Sequence, residues 1–207
     1  MNLLWNGSER APTVLLLAHG AGADMNHEFM TYFAHELGSD ELAVGRFNFR
    51  YIEAGKRAPD KQSVLEDTYR EAVQQAVEER SPRRLFIGGK SMGGRIGSHI
   101  VASGTKADGL VYLGYPLHPP GRPERIRDGH LGDIEVPQLF VEGTRDPFCP
   151  LDTLSDVIGR LRLTADVVVI EDGDHSLKVR KSSGRSTKQA WGEAIEAIRA
   201  WIVRTGG

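Results

Sequence analysis

Cysteine is almost missing from this chain: Cys149 is the only one in 207 residues. That excludes an internal disulfide and any site built from several thiolates, and it makes a reducing cytoplasm the expected compartment. A charge excess is missing too. Lys and Arg number 26 against 28 Asp and Glu, a formal net charge of −2, so the overall field gives no reason to expect nucleic acid or an anionic membrane as partner. No run of about eighteen apolar residues occurs, and residues 1–10 hold one short apolar patch, so neither a membrane span nor a secretory leader is expected. The seven histidines include no His-x-x-x-His pair, and neither a metal nor a cofactor is expected. Repeats, low-complexity segments and linkers are absent as well, which favours one domain over 1–207.

What the chain does contain is alternation. Short apolar or β-branched runs at 13–18, 43–51, 84–88, 110–113, 138–141 and 166–170 read as strands, most of them buried on both faces. Helix-period segments at 26–37, 63–79, 92–103 and 186–203 lie between and after them. In the last, Trp191, Ala194, Ile195, Ile198 and Ile202 share one face. Residues 3–5 could add an edge strand. Strands alternating with helices imply right-handed crossovers and a mostly parallel, doubly wound sheet, with function at the strands' carboxyl ends.

The third run feeds into Gly89-Lys90-Ser91-Met92-Gly93. Gly-x-Ser-x-Gly between a strand and a helix is the pattern of a nucleophile elbow, whose small flanking residues let strand and helix approach while the serine is held exposed. The Gly-Lys-Ser within it is not a Walker loop, because that motif needs glycine where Arg84 stands. The N–H of Met92, at a helix start, suits developing negative charge, and a second donor is expected from the loop after the first strong strand, His19-Gly20-Ala21-Gly22, at Ala21 N–H. His19 itself reads as a brace for that loop. An acid and a base should follow the serine in that order. Asp146 stands just beyond the strand at 138–141, with Asp152 as the alternative acid, and His175 stands in the loop after the strand at 166–170, beside Asp172 and Asp174, which read as loop carboxylates. His27, His35, His99, His118 and His130 do not fall in a last loop. Cys149 reads as a packing residue.

Together the His19-Gly20 loop, the elbow, Asp146 and His175 resemble the α/β-hydrolase superfamily over nearly the whole length. Gly88 to Arg95 and the segment Tyr115-Pro116-Leu117-His118-Pro119-Pro120-Gly121 resemble, within it, the small group related to dienelactone hydrolases. That group includes testis-expressed hydrolase-like proteins and a hydrolase-like domain of a histone-acetyltransferase-complex subunit. The resemblance implies a Ser91–Asp146–His175 triad and leaves the substrate open. Dienelactone hydrolases use a cysteine nucleophile, and this chain has Ser91.

The expected activity is therefore hydrolysis of a small-molecule acyl substrate, a soluble ester, thioester or lactone, through an acyl-enzyme. The alternatives are acyl transfer or cofactor-free haloperoxidase chemistry with the same triad, and a catalytically silent scaffold of the same shape. About two dozen Pro- and Gly-rich residues between the strands at 110–113 and 138–141 can form a flap but no large cap, which predicts an open site. Lys178, Arg180, Lys181, Arg185 and Lys188 form a basic run after His175. It reads either as a solvated loop and helix start or as an attractor for an anionic acyl group.

Overall fold

A computed structural model describes residues 1–205. Seven strands form one sheet: β1 (Leu4–Asn6), β2 (Thr13–Ala18), β3 (Leu42–Phe47), β4 (Arg84–Lys90), β5 (Gly109–Leu113), β6 (Gln138–Gly143) and β7 (Ala165–Ile170), in the order β1-β3-β2-β4-β5-β6-β7. All neighbours run parallel except β1, which pairs antiparallel with β3 at the edge. The chain moves from β2 outward to β3 and then returns to the other side of β2 as β4. This reversal opens a crevice at the carboxyl ends of β2 and β4. In the register of these two strands Ala18 stands opposite Gly89, so the His19 loop and Ser91 leave the sheet side by side.

Alternation along the strands sorts the core into two layers. Val14, Leu16 and Ala18 face α3 (Gln62–Arg80), α4 (Met92–Ala102) and α5 (Leu151–Leu161), whereas Leu15 and Leu17 face α1 (Glu28–Leu37) and α6 (Thr187–Thr205). On the α1/α6 side Phe29 stacks on Phe33 with centroids 4.3 Å apart, and Trp191 meets Phe29 edge-on at 5.2 Å. The five residues expected on one face of the last helix are all buried, joined by Ala190 and Trp201. Across the other layer the buried Tyr69 hydroxyl donates to Gly88 O and accepts the Gly88 N–H at 3.2 Å, tying α3 to the strand that carries the elbow.

Two elements differ from the sequence expectation. The strand expected over 43–51 ends at Phe47, and a single helical turn, α2 (Arg50–Glu53), follows. The chain leaves the ladder there because side chains take over the bonding: Asn48 Oδ1 accepts from Met25 N (2.8 Å) and His19 Nε2 from Phe49 N (3.2 Å). The helix α5 was not expected. Its signal is Pro150 at the cap followed by Leu151, Leu154, Val157, Ile158 and Leu161. Between β5 and β6 the chain folds over the sheet's carboxyl end with one 3-10 turn, Leu131–Asp133, and no large cap. No helix of the described residues is long and apolar enough to cross a membrane.

Candidate active site

Ser91 caps α4 with φ 52° and ψ −117°, a backbone conformation costly for a side-chain-bearing residue. The turn is possible only because glycines flank it. A Cβ on Gly89 would fall 2.4 Å from Ala18 O and one on Gly93 2.2 Å from the same atom. The serine hydroxyl is thereby lifted out of the sheet, with the first turn of α4 behind it.

Asp146 follows β6, and His175 sits in the loop after β7. The last loop is tightly held. Asp174 Oδ1 accepts from Ser176 N (2.8 Å) and Lys178 N (3.0 Å), Trp191 Nε1 donates to Ser176 O (3.0 Å), and Leu177, at φ 58°, sends its side chain into the α1/α6 layer. His175 Nε2 lies 2.8 Å from Ser91 Oγ, and its Nδ1 lies 2.7 Å from Asp146 Oδ2. The Asp146 side chain is fully buried, and its other oxygen accepts Phe148 N–H at 2.8 Å. The Phe148 ring meets the His175 imidazole edge-on at 4.7 Å, closing one side of the pair. Asp152 lies in the first turn of α5, and it is Asp146 that meets the imidazole.

Two recesses meet at Ser91. A cleft of about 300 Å³ is lined by Ser91, Met92, Ala21, His175, Arg95 and Arg127 among others. A smaller one of about 190 Å³, on the side of Phe29 and His27, shares Ala21, Ser91 and His175 with it. A larger depression of about 720 Å³ lies at the amino ends of β4 and β5 and has no serine, histidine or cysteine in its lining. It offers room without a serine–histidine pair.

His19 is buried and braces the crevice, with Nδ1 2.8 Å from Gly20 O and Nε2 accepting from Phe49 N, and burial depresses its basicity. Cys149 is buried in the core. Asp172 binds Arg180 through backbone and side chain and lies 3.4 Å from Arg145. None of the five basic residues of the run at 178–188 lines either recess at Ser91, and Arg185 pairs with Glu193. The run thus lies outside both recesses at Ser91.

Residues that sequence reasoning did not single out complete the surroundings. Lys90 is buried, and its Nζ has no hydrogen-bond partner among the described residues. Nζ and His175 Nδ1 lie 3.1 and 3.3 Å from the position a Cβ on Gly114 would take, so the ammonium stands close behind the histidine. Burial lowers the Lys90 pKa to about 8 against the opposing pull of Asp146, Glu142 and Asp174. Glu142 is fully buried and accepts Tyr115 N–H at 2.6 Å, and burial, with Asp146 nearby, raises its pKa well above the carboxylate range. A lysine at the end of an apolar strand is the one signal that could have flagged this group. No group of three metal-ligating side chains occurs among the described residues.

Solved structures of the same shape extend over most of the chain. XC6422 from Xanthomonas campestris, described as an α/β serine hydrolase without lid, is 19% identical with a TM-score of 0.75, over 96% of this chain and 88% of that one. Dienelactone hydrolase from Anabaena variabilis is 16% identical with a TM-score of 0.72, over 97% and 89%. Est1E from Butyrivibrio proteoclasticus, solved with ferulic acid bound, is 15% identical with a TM-score of 0.74, over 99% and 94%. At these identities the likeness speaks for the fold. The family model for the alpha/beta hydrolase domain matches residues 11–203, from the start of the first crevice strand into the last helix, and the chain accordingly belongs to the α/β hydrolase family.

Proposed function

We propose that the protein is a serine hydrolase, a single domain acting on a small-molecule ester, thioester or lactone in a reducing compartment. The observation that carries this reading is the unbroken chain Ser91 Oγ, His175 Nε2, His175 Nδ1, Asp146 Oδ2, with links of 2.8 and 2.7 Å, at the junction of two recesses. Ser91 Oγ attacks the substrate carbonyl as His175 takes its proton, and Asp146 holds the imidazole in the tautomer whose Nε2 lone pair faces the serine. The oxyanion is received by the N–H groups of Met92 and Ala21, both residues of the cleft lining. His175 then returns the proton to the leaving oxygen or sulfur. In the second half-reaction it takes a proton from the water that attacks the acyl-enzyme and passes it to Ser91 Oγ as the acyl bond breaks, releasing the acid.

Two recesses sharing the serine suit the two halves of a substrate, acyl group and leaving group. Their modest volumes and the lack of a cap favour short soluble substrates over long-chain lipids. The test is hydrolysis of short-chain 4-nitrophenyl esters beside a long-chain triglyceride emulsion. Turnover of the former that vanishes in Ser91→Ala is expected. Efficient turnover of the emulsion would overturn the substrate size, and no turnover of any ester by folded protein would move the reading to a binding protein of hydrolase shape.

A further inference from the structure

Arg95 and Arg127 both line the 300 Å³ cleft with Ser91 and His175, and among the described residues neither forms a salt bridge. Arg95 stands one helical turn beyond the nucleophile, its N–H on Ser91 O at 3.1 Å, so its side chain rises on the same side of α4 as the serine. One of its terminal nitrogens, Nη1, faces His99 Nε2 at 2.9 Å and Gln62 Oε1 at 3.5 Å. The remaining guanidinium nitrogens of Arg95, and all those of Arg127, have no protein hydrogen-bond partner among the described residues. Arg127 comes from the segment between β5 and β6, anchored by its N–H on Leu117 O at 2.7 Å. Two guanidinium groups thus reach the cleft from separate elements.

Of the nearby carboxylates two are held by other arginines, and the third has one exposed lysine beside it. Asp60, on the cleft, faces Lys56 at 3.9 Å, Glu66 holds Arg70 at 3.2 Å, and Asp128 holds Arg160. The neighbouring imidazoles do not supply negative charge, and they avoid positive charge. His99 and His130 stack at 3.6 Å, and burial, followed by neighbouring groups that include Arg95, lowers the pKa of both, that of His130 to about 3. Burial first and then the Arg95 charge also weaken the hold of Arg127 on its proton. Two like charges partly removed from water, neither in a salt bridge among the described residues, make a place that is stabilised when an anion enters.

We propose that Arg95 and Arg127 form a subsite for a carboxylate on the substrate, so that the ester cleaved at Ser91 is an anionic one. This rests on the serine-hydrolase reading and names its substrate class. A planar carboxylate matches the paired donors of a guanidinium, and the spacing of one helical turn puts it a few carbons from the scissile carbonyl.

The experiment compares kcat/KM within two matched pairs. The mono-4-nitrophenyl ester of glutaric acid against 4-nitrophenyl pentanoate places the charge in the acyl half, and 4-acetoxybenzoate against phenyl acetate places it in the leaving group. In one pair the anionic ester is favoured by about tenfold or more, and Arg95→Gln or Arg127→Gln lowers that ratio by about tenfold. Lys178→Gln leaves the ratio as it is. No preference in either pair, or a preference that survives both arginine substitutions, overturns the subsite. Binding measured without turnover separates this from failure of the hydrolase reading. Titrating Ser91→Ala with glutarate and with 4-hydroxybenzoate, one of the two binds and loses affinity when Arg95→Gln is added. No binding of either below about 10 mM overturns the subsite whatever the chemistry at Ser91.

Discussion

Ser91 and Ser98 belong to the same helix, one at its cap and one in its interior, and each faces a histidine Nε2, at 2.8 and 2.7 Å respectively. By distance alone the two pairs are equivalent. They differ in what stands behind the histidine and in where the hydroxyl proton goes. His175 has the buried Asp146 on Nδ1, which fixes its tautomer and balances the charge it gains. His130 is taken out of water, with the stacked His99 on its face and Arg95 nearby, and burial first and then these neighbours oppose any gain of charge. Ser98 gives its one proton to Arg95 O at 2.7 Å, the back-bonding usual inside a helix, so that its oxygen accepts from His130. Ser98 is also fully buried, whereas Ser91 opens on two recesses. A serine beside a histidine is therefore a packing motif unless an acid, an exposed oxygen and nearby N–H donors accompany it.

The comparison is sharpened most by Asp146→Asn. With the tautomer no longer enforced, kcat for a short ester falls by about 10³- to 10⁴-fold, while Ser98→Ala stays within about threefold of wild type. Equal losses from the two substitutions would erase the distinction. A smaller effect concerns stability. Ser98→Ala leaves His130 and Tyr115 without their shared partner and costs about 1–2 kcal/mol in denaturant unfolding, with activity retained in the folded fraction.

The second pair also carries its own pH dependence. The folded state holds His130 near a pKa of about 3, below the unfolded value of about 6.5, so the unfolded chain binds the extra proton between those values. Stability is then lost as pH falls through that window. His130→Gln flattens the decline in melting temperature between pH 7 and 5, and an unchanged slope would contradict the assignment. The smallest expected effect is at Lys90. Lys90→Met removes a cation behind the imidazole, so the acid limb of the kcat/KM profile moves to higher pH by less than about one unit. A limb that stays in place would mean the ammonium is too far from His175 to matter.

Much of this site is legible in the sequence because it is written locally. The elbow needs its glycines within four residues of each other, and each strand announces the loop that follows it. Asp146 and Asp152 both follow β6, and only the path of the chain after Gly143 selects between them. The basic run at 178–188 shows the opposite: nearness to His175 in sequence does not bring it to the cleft, because the chain turns at Leu177 and Arg180 closes on Asp172. Arg127 and the Ser98–His130 pair depend on packing between distant segments, and no local pattern marks them, whereas Lys90 shows only as a lysine at the end of an apolar strand.

The most direct test is to treat folded protein with a fluorophosphonate probe and locate the adduct by peptide mass spectrometry. A single adduct on Ser91, absent in Ser91→Ala and strongly reduced in Asp146→Asn, is the predicted result. An adduct on another residue, or none on folded wild type, would contradict the claim that the chain from Ser91 through His175 to Asp146 makes this serine, and not Ser98, the nucleophile.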